Sequence, residues 1–286
     1  MADARQLLGK PVARALTESV REHSDDFAQK NGRCPGLVVF TVDDPAAKSY
    51  LRSLKRTASD VKIVLTEQAL HHATSTRTIL SLIDTLNADP KTDGILIQTP
   101  LPAGIDRDAV ALATDPLKDV DGITPTQAGL LFRGNKNAIP PSTARAVIEI
   151  LNFYSYGLRG LEVVVLGRSN IVGKPVGMLA LARHATVTWC HSRTQGLNSI
   201  CKRAEILIAA TGRARMVNQS FVRPGATVID VGINVDDDGK IVGDVDAGSI
   251  MTIAAAYTPV PGGVGPVTSA CLYANLMDLV KTKTRA

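Results

Sequence analysis

Val163-Val-Val-Leu-Gly-Arg-Ser-Asn-Ile-Val-Gly-Lys-Pro175 opens as an apolar run, breaks at Gly167 and resumes after Gly173 in an apolar, helix-like segment. That order reads as a strand, a tight turn and a helix start. It is the geometry in which backbone N–H groups and a helix dipole hold a phosphate. Ser169 stands where the second glycine of G-x-G-x-x-G would be, so the dinucleotide fingerprint is incomplete.

Outward from this turn the chain alternates strand and helix, which predicts a mainly parallel sheet wrapped by helices. Downstream strands are expected at Thr186–Trp189, Ile206–Ala209 and Thr227–Val231, and a helix at about Thr143–Phe153 precedes the turn. In the first half, Val12, Leu16, Val20 and Phe27 keep a helical period across residues 12–30. Leu37–Val42 reads as a buried strand, Pro45–Ser59 as helix, Val61–Leu65 as strand and Arg77–Asn87 as helix. Gly94–Ile97 is a strand running into the stiff Thr99-Pro-Leu-Pro102 turn. Residues 115–141 are rich in Pro, Asp and Gly and read mostly as loop. Residues 257–266 form a second Pro/Gly loop, followed by a helix over Thr268–Lys281.

With 286 residues the chain fits two domains or one large α/β unit. Its net charge of +5 is spread rather than clustered, which argues against nucleic-acid binding and suits an anionic small molecule. Cys34, Cys190, Cys201 and Cys271 form no C-x-x-C pair and read as reduced thiols of a cytoplasmic protein. The five histidines have no ligand spacing, so no metal site is expected. Neither a signal-peptide core nor a membrane-spanning run is visible.

Seven segments, in order, carry a family resemblance. They are Asp44-Pro-Ala with Tyr50, Gly94-Ile-Leu-Ile-Gln-Thr-Pro-Leu-Pro102, Lys118-Asp-Val-Asp-Gly122 and the Gly167–Pro175 turn. Cys190-His-Ser-Arg-Thr194, Ile229-Asp-Val-Gly-Ile-Asn234 and Thr258-Pro-Val-Pro-Gly-Gly-Val-Gly-Pro266 complete the set. The chain resembles the bifunctional methylenetetrahydrofolate dehydrogenase/cyclohydrolases, the FolD family, over nearly its full length. The resemblance implies a two-domain α/β fold with a cleft between the domains. A folate-binding catalytic domain would span 1–142, completed by the C-terminal helix 267–286, and a Rossmann-like NADP-binding domain 143–266. It also implies one-carbon derivatives of tetrahydrofolate as substrate and a homodimer formed through the cofactor domains.

On the cofactor side, the matched residues are Gly167, Arg168, Ser169, Ile171, Gly173, Ser192, Arg193 and Ile233. Arg168 and Arg193 can pair a 2′-phosphate, and Val187–Cys190 lacks the acidic strand-end residue that would take the ribose of NAD. NADP is therefore the expected cofactor. Solvated surface charge is the plain alternative for either arginine alone.

On the folate side, the resemblance implies Tyr50, Gln98 and Asp121 as catalytic and substrate-binding residues, with Pro261, Gly262 and Gly263 also binding substrate. A carboxylate such as Asp121 accepts two parallel N–H bonds from an aminopyrimidine edge. Plain readings exist too: a turn at Asp121-Gly122, a strand-end cap at Gln98, an amphipathic residue at Tyr50.

The family's catalytic lysine lies four residues after the tyrosine, one turn along the same helical face, and here that position is Leu54. Lys55 follows, but at about 100° per residue it points roughly 140° away from Tyr50. Further departures are Ala47 for Ser, Thr99 for Leu, Ile123-Thr124 for Phe-His, Gln127 for Asn, and Pro141-Ser-Thr-Ala144 for Pro-Cys-Thr-Pro. The expectation is an NADP-dependent dehydrogenase with weak or absent cyclohydrolase activity. Two alternatives stay open: a specialised paralogue acting on a modified folate or pterin, and a catalytically silent NADP-binding subunit.

Overall fold

A computed structural model describes residues 3–283 of the chain. The first half runs β1 (Arg5–Gln6), α1 (Gly9–Asn31), β2 (Gly36–Val42), α2 (Pro45–Asp60), β3 (Val64–Leu70), α3 (Thr76–Ala88), β4 (Gly94–Ile97), α4 (Arg107–Ala113) and α5 (Pro125–Phe132). Then come α6 (Ser142–Phe153), β5 (Glu162–Leu166), α7 (Gly173–Leu181), β6 (Thr186–Cys190), α8 (Leu197–Cys201), β7 (Ile206–Ala209) and β8 (Thr227–Asp230). The chain closes with β9 (Asn234–Val235), β10 (Ile241–Val242), α9 (Ala247–Ile250), β11 (Ala256–Tyr257) and α10 (Val264–Lys283).

Two compact units emerge, and the chain passes between them three times. One contains the residues up to Ala13 with Thr143–Thr268; the other contains Arg14–Ser142 and the segment from Ser269 onward. The division differs from the expected one at the N-terminus. There β1 pairs in parallel with β11, and the Gly9 N–H donates to the Gly262 carbonyl at 2.8 Å.

In the Arg14–Ser142 unit the sheet is three parallel strands in the order β3–β2–β4. Strand β2 is a continuous apolar run because both its faces are covered. Helix α2 starts where the Asp44 carboxylate accepts the Ala47 N–H, with Pro45 in the first turn. Its inward face carries Ala47, Leu51, Leu54 and Ala58, all buried. Leu51, Leu54 and Ala58 join a core with Leu37, Val39 and Leu96 of the sheet and with Leu272, Tyr273, Leu276 and Met277 of α10.

Three expectations fail in this half. Strand β3 begins at Val64, not Val61, because Val61 ends α2 and Lys62 turns the chain at φ 56°. Among the described residues β3 pairs only with β2, and an edge strand tolerates the Thr66-Glu-Gln68 run that hid it. Within the expected loop 115–141 lies α5, capped by Thr124, whose hydroxyl accepts the Gln127 N–H. Finally, α10 starts at Val264, inside the stretch expected to be loop.

The other unit is a six-stranded parallel sheet in the order β1–β11–β8–β7–β5–β6. Trp189 of β6 donates from its ring N–H to the Gly173 carbonyl at 2.9 Å and packs against α7. A Cβ on Gly177 would meet that ring at 2.3 Å. Gly→Ala in a helix ordinarily stabilises by roughly 0.5–1 kcal/mol. Here Gly177→Ala should instead destabilise by about 1–3 kcal/mol through overpacking, read as a lower urea midpoint at unchanged m-value.

Candidate active site

The Asp119–Gly122 loop gives its two carboxylates different jobs. Asp119 is buried and accepts the backbone N–H groups of Asp121, Ile123 and Thr124, the last at 2.8 Å. It is a loop organiser. Asp121 is half-buried and, among the described residues, accepts from Ser142 alone, from its N–H at 2.8 Å and its hydroxyl at 2.5 Å. Its second oxygen is thus left for a ligand. Burial pushes the Asp121 carboxyl up to about 6, Asp119 adds to the rise, and the Ser142 bonds oppose it. Gly122 has φ 58°, and a Cβ there would lie 2.2 Å from the Ile139 carbonyl oxygen, so this turn needs glycine.

Tyr50 lies on the α2 face that carries Ala47 and Leu54, at spacings i, i+3 and i+7. Its ring is partly buried and packs against the core that Leu272, Tyr273 and Leu276 of α10 complete. Burial first, and then Asp121, raise the phenol well above its ordinary range, so it stays protonated. Gln98 follows β4 and is buried; its Nε2 donates to the Ala47 carbonyl at 3.0 Å. Its Oε1 is a buried acceptor with no partner among the described residues. A buried polar atom in that state marks a place where a ligand or solvent is expected. Tyr50 and Gln98 thus lie on the Ala47 side of α2, and Asp121 stands on the Asp119–Gly122 loop.

Leu54 is fully buried, and its backbone carbonyl accepts the Tyr273 hydroxyl at 2.7 Å. Lys55 does not re-aim toward Tyr50. Its ammonium is half-exposed and paired with Glu67 of β3 at 2.7 Å, which holds the Glu67 carboxyl below its ordinary range. Lys118 is also committed, donating to the carbonyls of Leu86, Asn87 and Asp89 at 2.7–2.8 Å at the end of α3. Thr124 and Gln127 are structural as well. Gln127 donates to the Pro116 carbonyl and accepts the Ile139 N–H, both at 2.8 Å, and so ties the two ends of the loop.

In the second unit the turn after β5 has the features a dinucleotide phosphate needs. Gly167 sits at φ 141°, and a Cβ on Gly173 would lie 2.3 Å from the Gly167 carbonyl oxygen. Only two glycines allow the strand end and the start of α7 to come this close. The Ser169 hydroxyl accepts the N–H groups of Val172 and Gly173 at 3.1 and 3.3 Å, taking the place of the missing glycine with a side-chain cap. Arg168, Ile171, Ser192 and Arg193 are exposed at the carboxyl ends of β5 and β6, where ligands of parallel sheets bind.

Ile233, Pro261, Gly262 and Gly263 come together around one cavity of about 210 Å³, with Val231 and Ile241. Its loops hang on two buried carboxylates. Asp230 accepts the N–H groups of Gly232, Asp244 and Val245, and burial pushes it up to about 6. Asp244 accepts those of Thr211, Gly212 and Arg213 and the Asn234 side-chain amide. The donors fit an NADP molecule: a glycine turn for the pyrophosphate, two exposed guanidinium groups, and a largely apolar cavity.

Sequence reasoning passed over Ser142 as a site residue. A single serine has no periodicity or spacing to betray it, and this one acts through Asp121, 21 residues away.

Residues 7–121 match the family model for the tetrahydrofolate dehydrogenase/cyclohydrolase catalytic domain, and residues 141–284 that for its NAD(P)-binding domain. The bifunctional protein FolD of Acetivibrio thermocellus is 43% identical over 284 residues, covering 99% of each chain. The crystal structure of the Campylobacter jejuni bifunctional enzyme FolD superposes with a TM-score of 0.94 at 35% identity, covering 98% of this chain and 99% of that one. The Trypanosoma brucei enzyme, complexed with NADP and an inhibitor, gives 0.93 at 32% identity, with full coverage of both chains. Matched in both halves by these models, and end to end by a relative at 43% identity, the chain belongs to the tetrahydrofolate dehydrogenase/cyclohydrolase family.

Proposed function

We propose that this protein is an NADP-dependent 5,10-methylenetetrahydrofolate dehydrogenase whose methenyltetrahydrofolate cyclohydrolase step is weak or absent. The observation that carries the reading is Leu54, fully buried on the Tyr50 face of α2 at the position where the family carries its lysine. The neighbouring Lys55 is held outside by Glu67.

Asp121 binds the pterin through the carboxylate oxygen that Ser142 leaves open, which accepts N–H bonds from the aminopyrimidine edge. Arg168 and Arg193 would hold the 2′-phosphate, and Gly167, Ser169 and Gly173 would let the pyrophosphate approach the start of α7. When bound, NADP⁺ supplies the hydride acceptor. The hydride leaves the methylene carbon, and the folate becomes a methenyl cation delocalised over its two nitrogens. No proton has to be removed, so positioning supplies most of the acceleration. Gln98 contributes through its unpartnered Oε1, the negative end of a fixed dipole that favours the growing cation. An ammonium at residue 54 would oppose that charge; leucine does not.

Hydrolysis of the methenyl product is different, because water must be deprotonated as it attacks and a proton returned to the departing nitrogen. A desolvated lysine can do both. Leucine can do neither. Tyr50 keeps its proton too firmly to serve as the base. The modified-pterin reading loses its support at Thr124 and Gln127, whose side chains are used within the loop.

Purified protein is mixed with 5,10-methylenetetrahydrofolate and NADP⁺, and NADPH and the methenyl product are followed separately. NADPH should form while the methenyl compound decays only at its spontaneous rate. Faster disappearance would sink the claim about the second step, and no NADPH would sink the first.

A further inference from the structure

Asn275 is fully buried in α10, between Ala274 and Leu276 of the core that this helix shares with α2 and the sheet. A leucine would fill the same space, and a buried amide costs stability unless its N–H groups find acceptors. Both acceptors lie outside α10. The side-chain nitrogen donates to the Val120 carbonyl at 2.8 Å and to the Pro140 carbonyl at 2.9 Å.

Those carbonyls belong to the two stretches of chain that meet at Asp121. As far as Asp119 the sheet holds the chain, through a parallel bridge to Ile95 of β4. Beyond it the backbone groups need tertiary partners. Val120 immediately precedes Asp121, and Pro140 stands two residues before Ser142, which donates twice to the Asp121 carboxylate. The stretches touch at Gly122, where a Cβ would lie 2.9 Å from the Pro140 carbonyl carbon and from the Pro141 nitrogen. Asn275 therefore ties through the backbone the same two stretches that Ser142 ties through the carboxylate.

We infer that Asn275 is a positioning residue for the dehydrogenase reaction: by spacing the Val120 and Pro140 carbonyls, it keeps one Asp121 oxygen on Ser142 and the other toward the folate. This rests on the proposed reading of Asp121 as the group that binds the pterin. Asn275 acts through Asp121 and not on the substrate itself.

The test compares the parent with Asn275→Ala, Asp121→Asn and the pair, reading dehydrogenase kcat and KM for 5,10-methylenetetrahydrofolate and for NADP⁺ separately. An interaction held equally in ground and transition states shows in KM alone. Asn275→Ala should therefore raise KM for the folate about five- to tenfold, the worth of one hydrogen bond, with kcat and KM for NADP⁺ unchanged. In the Asp121→Asn background it should add nothing. Asn275→Asp keeps the shape, and a carboxyl buried there stays protonated, with one donor for two carbonyls. Its folate KM should rise by less, and that rise decides the matter where the alanine variant fails to fold. A lower kcat or melting temperature at unchanged folate KM would leave Asn275 a structural residue and overturn the inference. So would losses that multiply in the pair, while the reading of Asp121 survives. If Asp121→Asn itself leaves the folate KM unchanged, both fall.

Discussion

Leu54→Lys should raise the rate of 5,10-methenyltetrahydrofolate hydrolysis by about 10²–10⁴, the usual worth of a positioned acid–base group. The side chain it replaces is fully buried, and losing it costs about 1.5–3 kcal/mol of stability. The same burial is what the chemistry needs, since desolvation lowers an ammonium pKa toward the working range of a general base. An acceptor is at hand. Gln98 is anchored on the Ala47 carbonyl, on the α2 face that carries residue 54, and its Oε1 has no partner. Hydrolysis is followed by loss of the methenyl absorbance, with dehydrogenase activity in the same sample as the check on folding. Persisting dehydrogenase activity with no gain in hydrolysis would mean that more than one group separates this chain from a bifunctional enzyme.

Asp121→Asn should lower dehydrogenase kcat/KM by about 10- to 10²-fold, because losing a hydrogen bond to a charged group costs about 1.5–3 kcal/mol. With the amide oxygen kept on Ser142, the variant turns a donor NH₂ toward the aminopyrimidine N–H groups where the carboxylate offered an acceptor. The carboxyl titrates at about 6, so in the parent protein kcat/KM should be level above pH 6 and fall about tenfold per unit below it. That limb should vanish in the variant. Stability should move the other way. A folded-state pKa raised above the ordinary value of 3.8 means that ionisation opposes folding. The favourable contribution is complete below pH 3.8 and is lost as the pH rises through about 6. Asp121→Asn should therefore fold at least as well as the parent at pH 7, since its amide oxygen can still accept from Ser142. A loss of activity accompanied by unfolding would point to a structural role instead.

The parts of the fold legible in the sequence are those where burial is continuous. Gly94–Ile97, Val163–Leu166 and Ile206–Ala209 are apolar on both faces and stand within a residue of where the pattern puts them. Strand β3 was set too early, at Val61–Leu65, because its polar Glu67 and Gln68 belong to an edge, and α5 escaped because a proline at a helix start looks like one in a loop. The site divides in the same way. Tyr50, Gln98 and Asp121 stand in a pattern that resemblance can match. What commits Lys55 to Glu67, Lys118 to three carbonyls and Ser142 to Asp121 is tertiary, and no local rule encodes it.

The part played by α10 also bears on how the polypeptide is made. The core around Leu37, Val39 and Leu54 takes Leu272, Tyr273, Leu276, Met277, Leu279 and Val280 from that helix, and buried Asn275 ties the Val120 and Pro140 carbonyls. On the ribosome, the segment translated first therefore waits for the one translated after all the strands of the other unit. Domains usually complete themselves in order of synthesis; here the early one emerges with an open hydrophobic flank. For that interval it is a natural client for chaperones, and the unit around the Gly167 turn is free to assemble ahead of it.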